Sequence, residues 1–260
     1  MLVFVGMGLY DEKDISVKGL EEVRKADYVF AEFYTSSLTG TTLERIQEFM
    51  GKKIEVLSRD EVEDGSRILN LAENNRVVLL TPGDPMVATT HVSLALEAFK
   101  RSIETKIIHG ASIVSAVCGL TGLHSYKFGR SATIPYPQLG KIPTSPYRII
   151  EENFRVNAHT LLYLDTAEGP MSINKAVEIL LEMERIEGRG VLKGVFALGI
   201  ARAGSDKPEV KCDYLEKLIL HDFGEPMHIM VIPSKKLHFS EVEALKILAD
   251  APSEIEEYVE

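Results

Sequence analysis

Val77-Val78-Leu79-Leu80-Thr81-Pro82-Gly83-Asp84-Pro85 is an apolar, partly β-branched run that stops at a Pro-Gly-Asp-Pro turn. Four consecutive apolar residues without alternation suit a strand covered on both faces, the environment of a parallel sheet. The turn ends it, because Pro cannot donate to a sheet ladder and Gly reaches backbone conformations closed to other residues. Runs of the same kind recur at residues 2–5, 106–108, 161–164, 195–200 and 229–232. Amphipathic, helix-length segments lie between them. Val17, Leu20 and Val23 follow Ser16; Leu43, Ile46, Phe49 and Met50 follow Thr41-Thr42; Val177, Leu180, Leu181 and Met183 follow Asn174. Each polar residue is a plausible helix N-cap. Strand and helix in alternation predict an α/β protein with a largely parallel sheet.

The alternation weakens over residues 124–148, which hold Pro135, Pro137, Pro143 and Pro146 and read as a long loop or an irregular edge segment. A junction just before it, near His109 and Ser112, divides the chain into residues 1–110 and 111–260.

Bulk properties exclude several classes. A 45% apolar and 26% charged composition is that of an ordinary globular protein and not of a disordered one. The net charge of −10 argues against nucleic acid as the main partner. Cys118 and Cys212 are far apart and form no CxxC pair, which suits reduced thiols in the cytoplasm. The N-terminus lacks a basic leader and reads as a first strand, and no run is apolar enough for a membrane helix.

Three strand ends carry candidate chemistry. Gly6-Met7-Gly8-Leu9 follows the first strand, as a ligand-lining turn would. It is a broken dinucleotide fingerprint, since position 11 is Asp where a third glycine belongs, and the charges of Asp11-Glu12-Lys13-Asp14 would repel a pyrophosphate. Asp84 is fixed in direction between Gly83 and Pro85, either toward a ligand or as a cap on the next helix, which residues 87–90 are expected to open. His109-Gly110-Ala111-Ser112-Ile113 leads from strand to helix, where backbone N–H groups are free to bind a carboxylate unless Ser112 caps them itself.

Taken together, several stretches resemble the tetrapyrrole methylase family, the class III methyltransferases. They are Gly8-Leu9-Tyr10-Asp11, Glu32-Phe33-Tyr34-Thr35-Ser36, Gly83-Asp84-Pro85 with Ala88-Thr89-Thr90-His91, Tyr126-Lys127-Phe128-Gly129, Ala201-Arg202-Ala203-Gly204-Ser205, and Phe223-Gly224-Glu225-Pro226-Met227-His228. They span nearly the whole chain, in order. The resemblance is to the branch that methylates a modified histidine on translation elongation factor 2. It implies two α/β domains with mixed, largely parallel sheets, S-adenosyl-L-methionine in the cleft between them, and a cytoplasmic homodimer. It also implies cofactor contacts at Leu9, Asp84, Val87, Ser112, Ile113, Tyr163, Ala203 and His228. Without the family, His228 reads as a satisfied core histidine.

The implied acceptor is the amino group of a 3-amino-3-carboxypropyl group on histidine, methylated in several rounds. An amino group with a pKa of about 8 is partly neutral at cellular pH, so a strong base is not demanded. No nucleophilic triad, carboxylate pair or metal cluster is evident, and no catalytic residue is assigned. Asp165, after a strand, could orient the amine or cap a loop. The rival readings are a sister enzyme acting on a precorrin, a nicotinamide oxidoreductase, and a non-catalytic module that binds the translation factor.

Residues 105–150 contain no Asp or Glu but hold Lys106, Lys127, Arg130, Lys141 and Arg148 among Tyr126, Tyr136 and Tyr147. This basic stretch is expected to dock the elongation factor through Lys127 and Arg130, or else to build a dimer interface or the cofactor helix.

Overall fold

The computed structural model describes all residues, Met1–Glu260, and divides them into two compact units, Met1–Ile113 and Val114–Glu260. The first unit runs β1 (Leu2–Gly6), α1 (Val17–Lys25), β2 (Tyr28–Ala31), α2 (Leu43–Met50), β3 (Glu55–Val56), α3 (Arg59–Asp64), α4 (Ser66–Ala72), β4 (Val77–Thr81), α5 (His91–Lys100) and β5 (Thr105–Ile108). Its five strands form one sheet in the order β3-β2-β4-β1-β5, and every pairing is parallel. β1 and β4 are buried along their whole length. One face packs Val3, Val5, Val29, Val78 and Leu80 under α1 and α2; the other packs Leu2, Phe4, Phe30, Val77 and Leu79 with residues of α3, α4 and α5.

Ser16 accepts from Gly19 N and caps α1, and Thr42 accepts from Arg45 N and caps α2, as their positions predict. The helix expected over residues 87–90 starts later, at His91. Ala88 instead takes a left-handed backbone with φ 56°, so the stretch is a turn.

α6 (Ile113–Thr121) starts at the division of the chain. The second unit continues with β6 (Ala132–Ile134), α7 (Ser145–Arg155), β7 (Thr160–Leu164), α8 (Ile173–Glu187), β8 (Phe196–Ala201), β9 (Glu209–Tyr214), β10 (His228–Ile232) and α9 (Phe239–Leu248). Its sheet has the order β6-β7-β10-β8-β9. Only β6–β7 is parallel; β7–β10, β10–β8 and β8–β9 are antiparallel. The proline-rich stretch supplies β6, an edge strand, where missing N–H donors are tolerated. The cap of α8 is Ser172, which accepts from Lys175 N. Asn174 lies inside that helix and donates to Ile219 O and His221 O at 2.8 and 3.0 Å, so its role is to hold a loop. No helix is long and apolar enough to cross a membrane.

Candidate active site

In the first unit the chain is pinched together at the carboxyl ends of β1, β4 and β5, the side on which ligands bind in open α/β sheets. Gly6, Gly83 and Gly110 meet there with no side chain between them. A Cβ on Gly6 would lie 2.5 Å from Gly83 O and 2.6 Å from Gly110 N; one on Gly110 would lie 2.4 Å from Gly83 O. Gly8 and Gly83 exchange backbone bonds of 3.3 and 2.6 Å, which lock the first motif onto the second. Both have positive φ, 84° and 74°, which favours glycine.

The acidic run after Gly8 behaves differently from a surface that repels anions. Asp14 turns its carboxylate back, and Oδ2 accepts from the N–H groups of Leu9 (3.1 Å), Tyr10 (2.7 Å) and Asp11 (3.4 Å). Glu12 is buried and paired with Arg45 at 2.9 Å. These acids therefore shape the Leu9 turn.

Asp84 is buried and does not cap α5. Its Oδ1 accepts from Met86 N at 2.9 Å, while Oδ2 accepts from Gly110 N at 3.3 Å and from His109 Nδ1 at 2.8 Å. It thus ties the turn after β4 to the segment after β5. Sequence spacing gives no reason to single out His109, whose side chain is 73% exposed although one ring nitrogen is held. Val87 N donates to Asp84 O at 3.2 Å, closing the turn. Beneath it, His91 Nδ1 and Thr89 Oγ1 both donate to Pro85 O at 2.9 Å. His91 is 1% exposed, and its Nε2 lies 4.0 Å from Glu32 Oε1. Burial lowers the His91 pKa and raises that of Glu32, which also accepts from Thr35. Ser112 and Ile113 follow Gly110, so Leu9, Asp84, Val87, Ser112 and Ile113 all flank the same glycine junction.

In the second unit, Ala203 lies just past β8 and His228 begins β10 opposite Ala201. Arg202, with φ 52°, donates its N–H to Met227 O at 2.9 Å and Nη1 to Phe223 O and Glu225 O at 2.7 and 2.6 Å. Ala203 and His228 are thereby brought to one end of adjacent strands. His228 Nδ1 accepts from Ile173 N at 3.2 Å, and Nε2 donates to Glu225 O at 3.1 Å. Both nitrogens are satisfied in the neutral ring, and burial lowers its pKa. Tyr163 lies on β7. Leu162 pairs with Met230, so strand alternation places Tyr163 on the face opposite His228. Burial raises the Tyr163 phenol. Asp165 caps a loop: Oδ2 accepts from Tyr136 N at 3.1 Å and Oδ1 from Ala167 N at 3.0 Å.

Lys141 is exposed, while the other four basic residues of the acid-free stretch are paired. Lys106 pairs with Glu22, Lys127 with Glu241, Arg130 with Glu152 and Arg148 with Glu187, each acid coming from outside it. The structure gives Lys127 a role inside the unit rather than on its surface. Its side chain is 14% exposed and donates to Glu241 Oε2 at 2.6 Å and Lys236 O at 2.9 Å. Tyr147 is a core residue that donates to Glu184 Oε2 at 3.1 Å.

Comparison with known proteins follows the same lines. Residues 1–192 match the family described as Tetrapyrrole (Corrin/Porphyrin) Methylases. A diphthine synthase of Methanosarcina mazei is 53% identical over 100% of both chains. A diphthine synthase of Archaeoglobus fulgidus is 51% identical, again over 100% of both. A crystal structure of diphthine synthase superposes with a TM-score of 0.93 at 50% identity, covering 99% of each chain. A glycine-lined junction at parallel strand ends, with this sequence kinship from end to end, means that the chain belongs to the tetrapyrrole methylase family of methyltransferases and, within it, to the diphthine synthases.

Proposed function

We propose that this methyltransferase transfers methyl groups from S-adenosyl-L-methionine to the amino group of the 3-amino-3-carboxypropyl-histidine of translation elongation factor 2, in several rounds, giving diphthine. The observation that carries this reading is kinship over the full length to diphthine synthases, joined to strand ends built for close approach of a ligand to backbone. The cofactor, when bound, supplies a methyl group on a positively charged sulfur.

The residues present fit such a group. A Cβ on Gly83 would meet nothing within 4 Å, so the carboxyl end of β4 offers open backbone on one side. Leu9, Asp84, Val87, Ser112 and Ile113 of the first unit, with Tyr163, Ala203 and His228 of the second, are the proposed cofactor contacts. Asp84 and His228 already satisfy their polar atoms within the chain, so they act chiefly by fixing the backbone around them. Holding donor and acceptor in line can contribute on the order of 7–11 kcal/mol through proximity alone. We take residues 1–110 and 111–260 as the two domains, and a cytoplasmic homodimer as the working assembly.

The test is mass spectrometry of elongation factor 2 bearing the modified histidine, after incubation with the protein and S-adenosyl-L-methionine. The expected result is a gain of one or more methyl masses on that histidine and none on a precorrin offered in its place. An unchanged factor overturns the reading.

A further inference from the structure

We propose that His109 is the base that takes the proton from the acceptor amine, with Asp84 as the residue that orients it. The inference rests on the methyl-transfer reading above and supplies a group that reading lacks. Methylating an ammonium once or several times releases one proton per methyl, so each round needs a proton acceptor.

The first unit holds two histidines. His91 is 1% exposed beneath the Pro85 carbonyl and cannot meet a substrate. His109 follows β5, beside the glycine junction, with its side chain 73% exposed. Its Nδ1 donates to Asp84 Oδ2 at 2.8 Å, which leaves the basic lone pair on Nε2 of a mostly exposed ring. Asp84 is itself fixed, because Met86 N and Gly110 N donate to its two oxygens. A buried, anchored carboxylate that orients an accessible imidazole is the base–orienter arrangement expected of proton-transfer sites. In the second unit, which does not form the glycine junction, His221 is held by Glu209 at 2.8 Å but is 31% exposed, and His238 caps α9 through Nδ1. His159 and His228 are buried with both nitrogens bonded, and His124 is bonded through both nitrogens to Tyr126 and Ser240.

The step balances as follows. His109 Nε2 takes a proton from the ammonium nitrogen. The freed lone pair forms the new carbon–nitrogen bond while the carbon–sulfur bond breaks and its electron pair stays on sulfur. The exposed imidazolium then releases its proton to water before the next round.

The experiment compares the wild-type protein with His109→Asn and His109→Ala, all with elongation factor 2 bearing the modified histidine. Single-turnover methyl transfer is measured at saturating S-adenosyl-L-methionine, and cofactor Kd by calorimetry. Asn keeps a donor toward Asp84 but has no basic nitrogen. Transfer should fall about 100-fold in both variants, the lower range for loss of a general base, with Kd unchanged within about 3-fold. Added imidazole should restore part of the rate in His109→Ala and none in His109→Asn. Wild-type rates in either variant overturn the proposal, as does a weakened Kd with full rate at saturation. A wild-type protein that methylates nothing sinks the underlying function instead, so the two failures are distinct.

Discussion

An acid–histidine pair from each unit uses the same chemical parts in opposite ways. In the first unit, buried Asp84 holds His109 at 2.8 Å, and the imidazole stands in solvent. In the second, Glu241 holds His159 at 3.0 Å, and both are fully buried. Glu241 also accepts from Lys127 Nζ, His124 N and His238 N, so it closes a network around the start of α9. Those bonds hold the Glu241 carboxyl far below its ordinary range against the opposing effect of burial. Desolvation decides the difference. An enclosed pair is committed to packing, whereas a pair with one open nitrogen is available for reaction.

The largest way to break this contrast is Glu241→Ala. It strands the Lys127 ammonium in a nearly closed site, and removing one partner of a buried pair costs about 3–5 kcal/mol. Chemical denaturation should show that loss. A variant as stable as the parent would mean that Lys127 reaches water.

Next in size is Gly110→Ala, whose Cβ must displace Gly83 O or the Gly6 backbone. Overpacking of this kind costs about 1–3 kcal/mol. Hydrogen exchange should place the effect at the ends of β1, β4 and β5; exchange unchanged at those ends would contradict the close approach.

Acid should then separate the units. Burial lowers the pKa of His159 and His228, so the unfolded chain binds more protons than the folded one below the ordinary histidine value of about 6.5. Their contribution is present above that value and is lost as pH falls toward the folded pKa values. Glu241 adds a loss of the same sign below the ordinary glutamate value of about 4.3. In the first unit His91, whose pKa burial also lowers, has the same sign, and Glu32 has the opposite one. Its raised pKa favours the folded state at low pH, and that contribution is lost as pH rises through the folded value. Each extra proton gives a slope of up to about 1.4 kcal/mol per pH unit. Hydrogen exchange followed between pH 7 and 5 should show the second unit, with two such histidines against one opposed by Glu32, loosening more than the first, and equal loosening would refute the assignment.

The smallest effect belongs to Arg130→Glu. Arg130 and Glu152 are both exposed, and exposed pairs contribute less than about 1 kcal/mol. A thermal melt should barely move, which would set this pair apart from Lys127–Glu241.

The legible parts of the fold were those in which chemistry is continuous along the chain. β1, β4, β7, β8 and β10 are central strands, and their apolar runs announce them. β6 and β9 close the edges of the second sheet, where one side meets water. β9 reads Glu-Val-Lys-Cys-Asp-Tyr and carries no apolar run. The antiparallel pairings were invisible for the same reason: a buried strand looks alike in either direction. At the site, the Gly-Asp-Pro turn and the Gly-Met-Gly turn could be read as ligand-lining. What could not be read is that Asp84 finds His109 across 25 residues and that Lys127 finds Glu241 across 114. A basic segment looks like a docking surface until the distant acids that neutralise it are known.

The meeting of Gly6, Gly83 and Gly110 has a practical consequence for anyone wishing to re-engineer this protein. Where three strands touch main chain to main chain, the floor offers nothing for codon randomisation to exchange. Libraries aimed at altered donor binding should leave those three codons fixed and diversify residues 86–90 and 111–113, which include the proposed cofactor contacts Val87, Ser112 and Ile113 and where side chains exist to be traded.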